Sequence, residues 1–84
     1  MSVKEQILRA KGKLQELKEE LRRTDIEAKG NVTLIKSSFA GFEPYFEIDL
    51  EMAEEQMHRL RELKFRRIEL AKEIQTIQKE FGIE

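Results

Sequence analysis

From Val3 onward, apolar side chains recur at alternating intervals of four and three residues: Ile7, Ala10, Leu14, Leu17, Leu21 and, past the polar Thr24, Ala28. A repeat of that kind keeps one stripe of a helix turned toward a neighbouring helix. Ser2 followed by Glu5 is a capping box, in which each side chain can satisfy the other residue's free backbone N–H. At the far end, Lys29-Gly30-Asn31 offers a cation beside a helix terminus and a glycine able to adopt positive φ. The pattern predicts a first helix over about 3–29, roughly 40 Å long.

The same rhythm returns when read backward from Phe81: Ile77, Ile74, Leu70, Leu63, Leu60 and Ala53, with Arg67 and Gln56 as polar interruptions. Asp49 is a suitable N-cap, Ile48 can staple onto Met52 or Ala53, and Gly82 is a stop. A second helix is expected over about 50–81, roughly 48 Å long.

Between them, residues 30–48 carry Val32, Leu34, Ile35, Phe39, Phe42, Tyr45, Phe46 and Ile48. A structureless loop of that length is uncommon inside a small domain, so local structure is expected there. A β-hairpin pairing Val32–Ser37 with Tyr45–Asp49 is one option. A helical turn near Ser37–Phe42, ended by Gly41 and Pro44, is the other. The β-branched and aromatic content tilts toward the strand.

These elements predict an all-α fold, a single domain over 1–84 built as an antiparallel, coiled-coil-like helical hairpin with a short β-element at its tip. One seam gives so short a chain little core. Apolar side chains also lie off the seam: Leu8 and Ile26 on the first helix, Met57, Phe65 and Ile68 on the second. A second ridge lets a helix touch two neighbours, so these five residues are the candidates for self-association into a symmetric four-helix bundle.

Composition narrows the function classes. Lys+Arg (16) and Asp+Glu (17) nearly cancel, and a net charge of −1 gives no overall field to gather a polyanion. The absence of cysteine removes disulfides and thiolate metal sites together. No apolar run resembles a signal peptide or a membrane span, so a cytoplasmic location without membrane contact is expected; Asn31-Val32-Thr33 is then a chance match to a glycosylation acceptor. Glu5–Arg9, Glu19–Arg23, Glu55–Arg59 and Glu62–Arg66 are spaced for ion pairs within each helix. Gly12 faces away from the seam, where it is either tolerated or a point of close approach.

Candidate chemistry is sparse. Glu55-Gln56-Met57-His58 is a Glu-x-x-His unit of the kind that holds metal in di-iron bundles, but both ligating side chains point away from the seam and the unit is not repeated. No nucleophile–base–orienter set accompanies the one histidine. Neither enzymatic activity nor a cofactor is expected, a metal site assembled between subunits being a remote alternative. Arg67 stands in mid-stripe with no acid one turn away, so it must snorkel to water or find a carboxylate on another helix; it marks either a register-setting polar layer or a contact for an acidic partner. The basic run Arg59, Arg61, Lys64, Arg66 and Arg67 could track phosphates, although Arg59 and Arg66 have glutamates within reach in the helix. The aromatic group Phe39, Phe42, Tyr45 and Phe46 is either a local core or a docking patch. The leading expectation is a small structural or adaptor protein that binds itself and another protein, with nucleic-acid binding as the alternative.

Overall fold

The computed structural model describes residues 2–39 and 45–84. Helix α2, Leu50–Phe81, occupies the span its pattern predicts. The Asp49 carboxylate caps it, Oδ1 accepting the Met52 backbone N–H at 2.9 Å. At its end Gly82 adopts φ 62°, and the backbone N–H groups of Gly82 and Ile83 both reach the Gln78 carbonyl. This reversal satisfies a carbonyl that the helix leaves free and lays Ile83 against the core.

Helix α1 spans Val3–Phe39 and so runs well past the predicted stop near residue 29. Its start is as expected, with Ser2 Oγ accepting the Glu5 N–H at 3.1 Å. Gly30 is not a cap: the only positive φ among the described residues belongs to Gly82. A glycine inside a helix costs about 1 kcal/mol relative to alanine, and here the continuing heptad outweighs it. Asn31, Ile35 and Ser38 take the next seam positions and are buried or half-buried. Had α1 ended at Gly30, Ala53 and Gln56 at the start of α2 would have faced water. The length of the partner helix, not the local stop signal, decides where α1 ends.

That extension overturns the β-hairpin. Val32–Ser37 is helical, and no strand occurs among the described residues. Within this stretch Thr33 and, just beyond it, Ser38 turn their hydroxyls onto the Lys29 and Leu34 carbonyls at 3.0 Å, which accommodates them in a helix. The helical alternative holds through Phe39; Gly41, Phe42 and Pro44 lie outside the described residues. The chain re-enters through a 3₁₀ turn, Tyr45–Glu47, closed by the Ile48 N–H on the Tyr45 carbonyl at 3.1 Å.

The result is an antiparallel hairpin drawn out to 66 × 16 × 14 Å. A 2.6 Å hydrogen bond from Asn31 Nδ2 to Gln56 Oε1 fixes the register. Stepping away from it by one heptad at a time sets Thr24 level with Leu63, Leu17 with Leu70, and Ala10 with Ile77. The core cluster is Leu14, Leu17, Leu70 and Ile74, with Leu21, Ile77 and Ile83 packed on it. Leu70 is wholly buried, at 0% exposure. Among the described residues, no helix is long and apolar enough to cross a membrane.

Candidate functional site

The seam changes character from the open end of the hairpin to its tip. Near the termini it is closed by leucine and isoleucine; toward the tip its buried positions are Thr24, Asn31, Ala53 and Leu63. Thr24 and Gln56, polar interruptions of the two stripes, do not face each other. Because α1 is longer than predicted, Gln56 meets Asn31, and Thr24 Oγ1 turns onto the Glu20 carbonyl at 2.8 Å. Asn31 Oδ1 is left buried without a partner.

The outside of the tip half is the reverse of its inside. Leu34, Phe39, Tyr45, Phe46, Leu50 and Met52 are all exposed, Tyr45 at 80% and Phe46 at 73%. The rings of Tyr45 and Phe46 meet edge to face at 5.8 Å and 79°, and they form no core with the other described residues. Phe39 stands on the last turn of α1, and Phe42 lies outside the described residues. Beside the tip a shallow groove runs between Leu34 and Met52, floored by Gln56 and edged by Ser37, Ser38, Glu47 and Asp49.

The proposed second ridge does not form a single surface. Leu8, Ile26, Met57, Phe65 and Ile68 are all exposed. By heptad position, however, Met57 and Ile68 share one flank of the hairpin, Phe65 and Ile26 lie on the outer backs of opposite helices, and Leu8 stands alone near the open end.

The ion pairs also differ from the expected ones. Arginines of α2 reach across the seam, not back to the glutamates four residues before them. Arg59 Nε donates to Glu27 at 2.7 Å, and Arg66 Nε donates to Glu20 at 3.1 Å with a second contact from Nη2. Both pairs lie on the same flank, one heptad apart, where an antiparallel neighbour brings carboxylates close. Further contacts link Arg59 to Glu62, Arg66 to Glu69 and Arg22 to Glu19, each within one helix. The hydrogen bond from Arg59 holds the Glu27 carboxyl below the usual carboxylate range, and that from Arg22 does the same for Glu19.

Arg67 resolves its mid-seam position in both of the ways open to it. Its head snorkels to the surface, and Nε donates to Asp25 Oδ1 on α1 at 2.9 Å. Three of the five groups in the basic run, Arg59, Arg66 and Arg67, are therefore matched by acids on α1, which leaves Arg61 and Lys64. His58 is exposed and lies 3.8 Å from Glu62.

One arrangement escaped the sequence reading because it needs the register of both helices. On the flank opposite the Glu–Arg ladder, Lys4, Lys11 and Lys18 repeat every heptad along α1, with Arg22, Lys29 and Lys36 in a parallel outer row. The acids Glu55, Glu62 and Glu69 form an equally spaced row on the ladder side. A near-zero net charge thus conceals one basic and one acidic flank. The fold and surface define a coiled-coil-like helical hairpin with exposed apolar groups at its tip. Comparison with family models, with curated proteins and with solved structures finds no match to this chain.

Proposed function

We propose that the chain is a small structural or adaptor protein that works by protein–protein contact, self-association included, through its tip half. The observation that carries this reading is the inverted distribution there: amide and hydroxyl groups are buried in the seam, while Leu34, Phe39, Tyr45, Phe46, Leu50 and Met52 face outward. Large apolar groups left exposed together at one end of a molecule are characteristic of surfaces that are covered in an assembly. Association of two tips in a four-helix arrangement would supply the apolar interior that this half lacks by itself. Nucleic-acid binding by the basic run of α2 draws less support, since three of its arginines are already engaged by acids.

Light scattering on a sizing column tests the reading. The chain is expected to elute as a dimer or larger species at micromolar concentration. The double variant Tyr45→Ser/Phe46→Ser should shift it toward monomer while circular dichroism keeps its helical signal, because neither side chain supports the seam. A wild-type monomer that melts cooperatively at that dilution would overturn self-association.

A further inference from the structure

Building on the protein-interaction reading, we infer that the basic flank of the hairpin is a docking groove for an acidic amphipathic helix of another protein. The flank combines two features. Its cations keep the heptad spacing, Lys11 following Lys4 and Lys18 following Lys11, about 10 Å apart at a helical rise of roughly 1.5 Å per residue. Among the described residues, Lys4, Lys11, Lys18 and Lys29 have no carboxylate within ion-pair distance, whereas Arg22 is held by Glu19 and Arg67 by Asp25. Toward the tip the inner row turns apolar: past Lys18 and Asp25, the same heptad row continues with Val32 and Phe39, flanked by Lys29 and Lys36 of the outer row. Val32 is half-buried, and Phe39, Leu50, Met57 and Ile68 are exposed on the same flank.

Surface grooves mark the path of such a helix. One is lined by Lys11, Leu14, Lys18, Arg22 and Ile83, with Glu19 and Glu84 also at its rim. Further toward the tip, a second is lined by Ala28, Lys29, Val32, Lys36 and Arg67, with Asp25 among them. Each groove reaches a seam residue, Leu14 or Ala28, so a third helix laid along the flank would touch the core of the pair.

The occupant follows from the chemistry. A lysine row at heptad spacing, continued toward the tip by an apolar strip that Lys29 and Lys36 flank, complements an amphipathic helix that carries glutamates at that same spacing beside its apolar stripe. A second copy does not suit: like flanks would bring lysine rows together, and the acidic row Glu55–Glu62–Glu69 borders the Glu–Arg ladder instead of an apolar strip. A nucleic acid fits less well, because phosphates would leave Leu50 and Met57 against a polar backbone, with one phosphate per roughly 3.4 Å of strand axis against lysines three times farther apart.

The test uses the full chain and a fluorescent synthetic peptide of about four heptads, leucine at the seam positions and glutamate beside them. Anisotropy titration should show binding that weakens with salt, and none by the matching lysine peptide. Lys11→Glu/Lys18→Glu/Lys29→Glu should weaken it at least tenfold, and Leu50→Ser/Met57→Ser by a similar factor, with helicity unchanged in both. Failure of the glutamate peptide to bind would overturn the inference. So would equal binding of the lysine peptide, tighter binding of an oligonucleotide or of phosphatidylserine vesicles, or a loss confined to the charge variant. Light scattering on the charge variant should match wild type, so failure of self-association and failure of this groove are read in separate measurements.

Discussion

The two halves of this hairpin are made from the same helices on the same heptad, yet they solve opposite problems. The open half buries Leu14, Leu17, Leu70 and Ile74 in a continuous cluster, sealed by Ile83 folding back from the Gly82 cap. The tip half buries Thr24, Asn31, Ala53 and Leu63 and turns Leu34, Leu50, Met52, Phe39, Tyr45 and Phe46 to water. Burial of apolar surface is the dominant favourable contribution to folding, so the open half supplies most of the intrinsic stability. The difference teaches that seam periodicity specifies which residues face each other and not how strongly they hold.

The largest effect should come from the strong half. Leu70→Ala removes a side chain with 0% exposure and leaves a cavity between two long helices. A loss of about 3 kcal/mol is expected, enough to unfold much of the population of so small a protein. Chemical denaturation followed at the helical circular-dichroism band measures it. The matching substitution in the tip half, Leu63→Ala, should cost less if its surroundings are as thinly packed as Thr24 and Ala53 suggest. Equal losses would erase the distinction between the halves.

The next effect runs in the opposite direction. Asn31 and Gln56 share a hydrogen bond inside the seam while Asn31 Oδ1 is left without a partner. Replacing both with leucine removes the unsatisfied atom and adds apolar burial. The double variant should gain about 1–2 kcal/mol, read as a rise in Tm. Either single variant should lose stability, because it strands the remaining amide. The amide pair also fixes register, so the leucine variant should show altered association in light scattering, as polar seam residues commonly restrict such states.

Much of this fold could be read from residues alone, and what could not has a physical reason. Asp49 and Gly82 bound α2 because each acts locally, through a side-chain acceptor and a left-handed backbone. Gly30 misled because a stop signal is only a local cost, overridden by a partner helix reaching Ala53 and Gln56. Arg67 was legible as a charge that needed a carboxylate, but Asp25 as that carboxylate was not, since it required the register. The same holds for the opposed flanks. Lys11, Lys18 and Lys29 look like scattered solvated cations until the Glu20–Arg66 and Glu27–Arg59 bonds show which side of the seam is the other one. Exposure of Phe39, Tyr45 and Phe46 is likewise a property of how the described residues pack, which no single position announces.

Gly30 gives a smaller and cleaner test. It is exposed, and a Cβ placed on it meets nothing within 4 Å. Gly30→Ala should therefore stabilise by about 1 kcal/mol through the lower conformational entropy of the unfolded chain. Native-state hydrogen exchange should show added protection in the tip half of α1. A destabilised variant would mean that a neighbouring copy approaches the helix at that point, which would favour association along this face.

The smallest expected effect concerns the ladder flank. Glu27 has its carboxyl held below the usual range, first by the hydrogen bond from Arg59 and secondarily by that group's charge. A folded-state pKa below the unfolded one means that the interaction contributes fully above the unfolded carboxylate range. It is lost as pH falls through the folded value. Both side chains are about half exposed, so the contribution is screened and modest. Thermal melts of wild type and Glu27→Gln should differ slightly at neutral pH and converge as the solution is acidified below about pH 4. Added salt should narrow the neutral-pH gap as well, since exposed charges are screened over about 8 Å at physiological ionic strength. Curves that stay parallel across that pH window would show that Glu27 acts through packing on the flank, and the ladder would then distinguish the flanks by charge pattern alone.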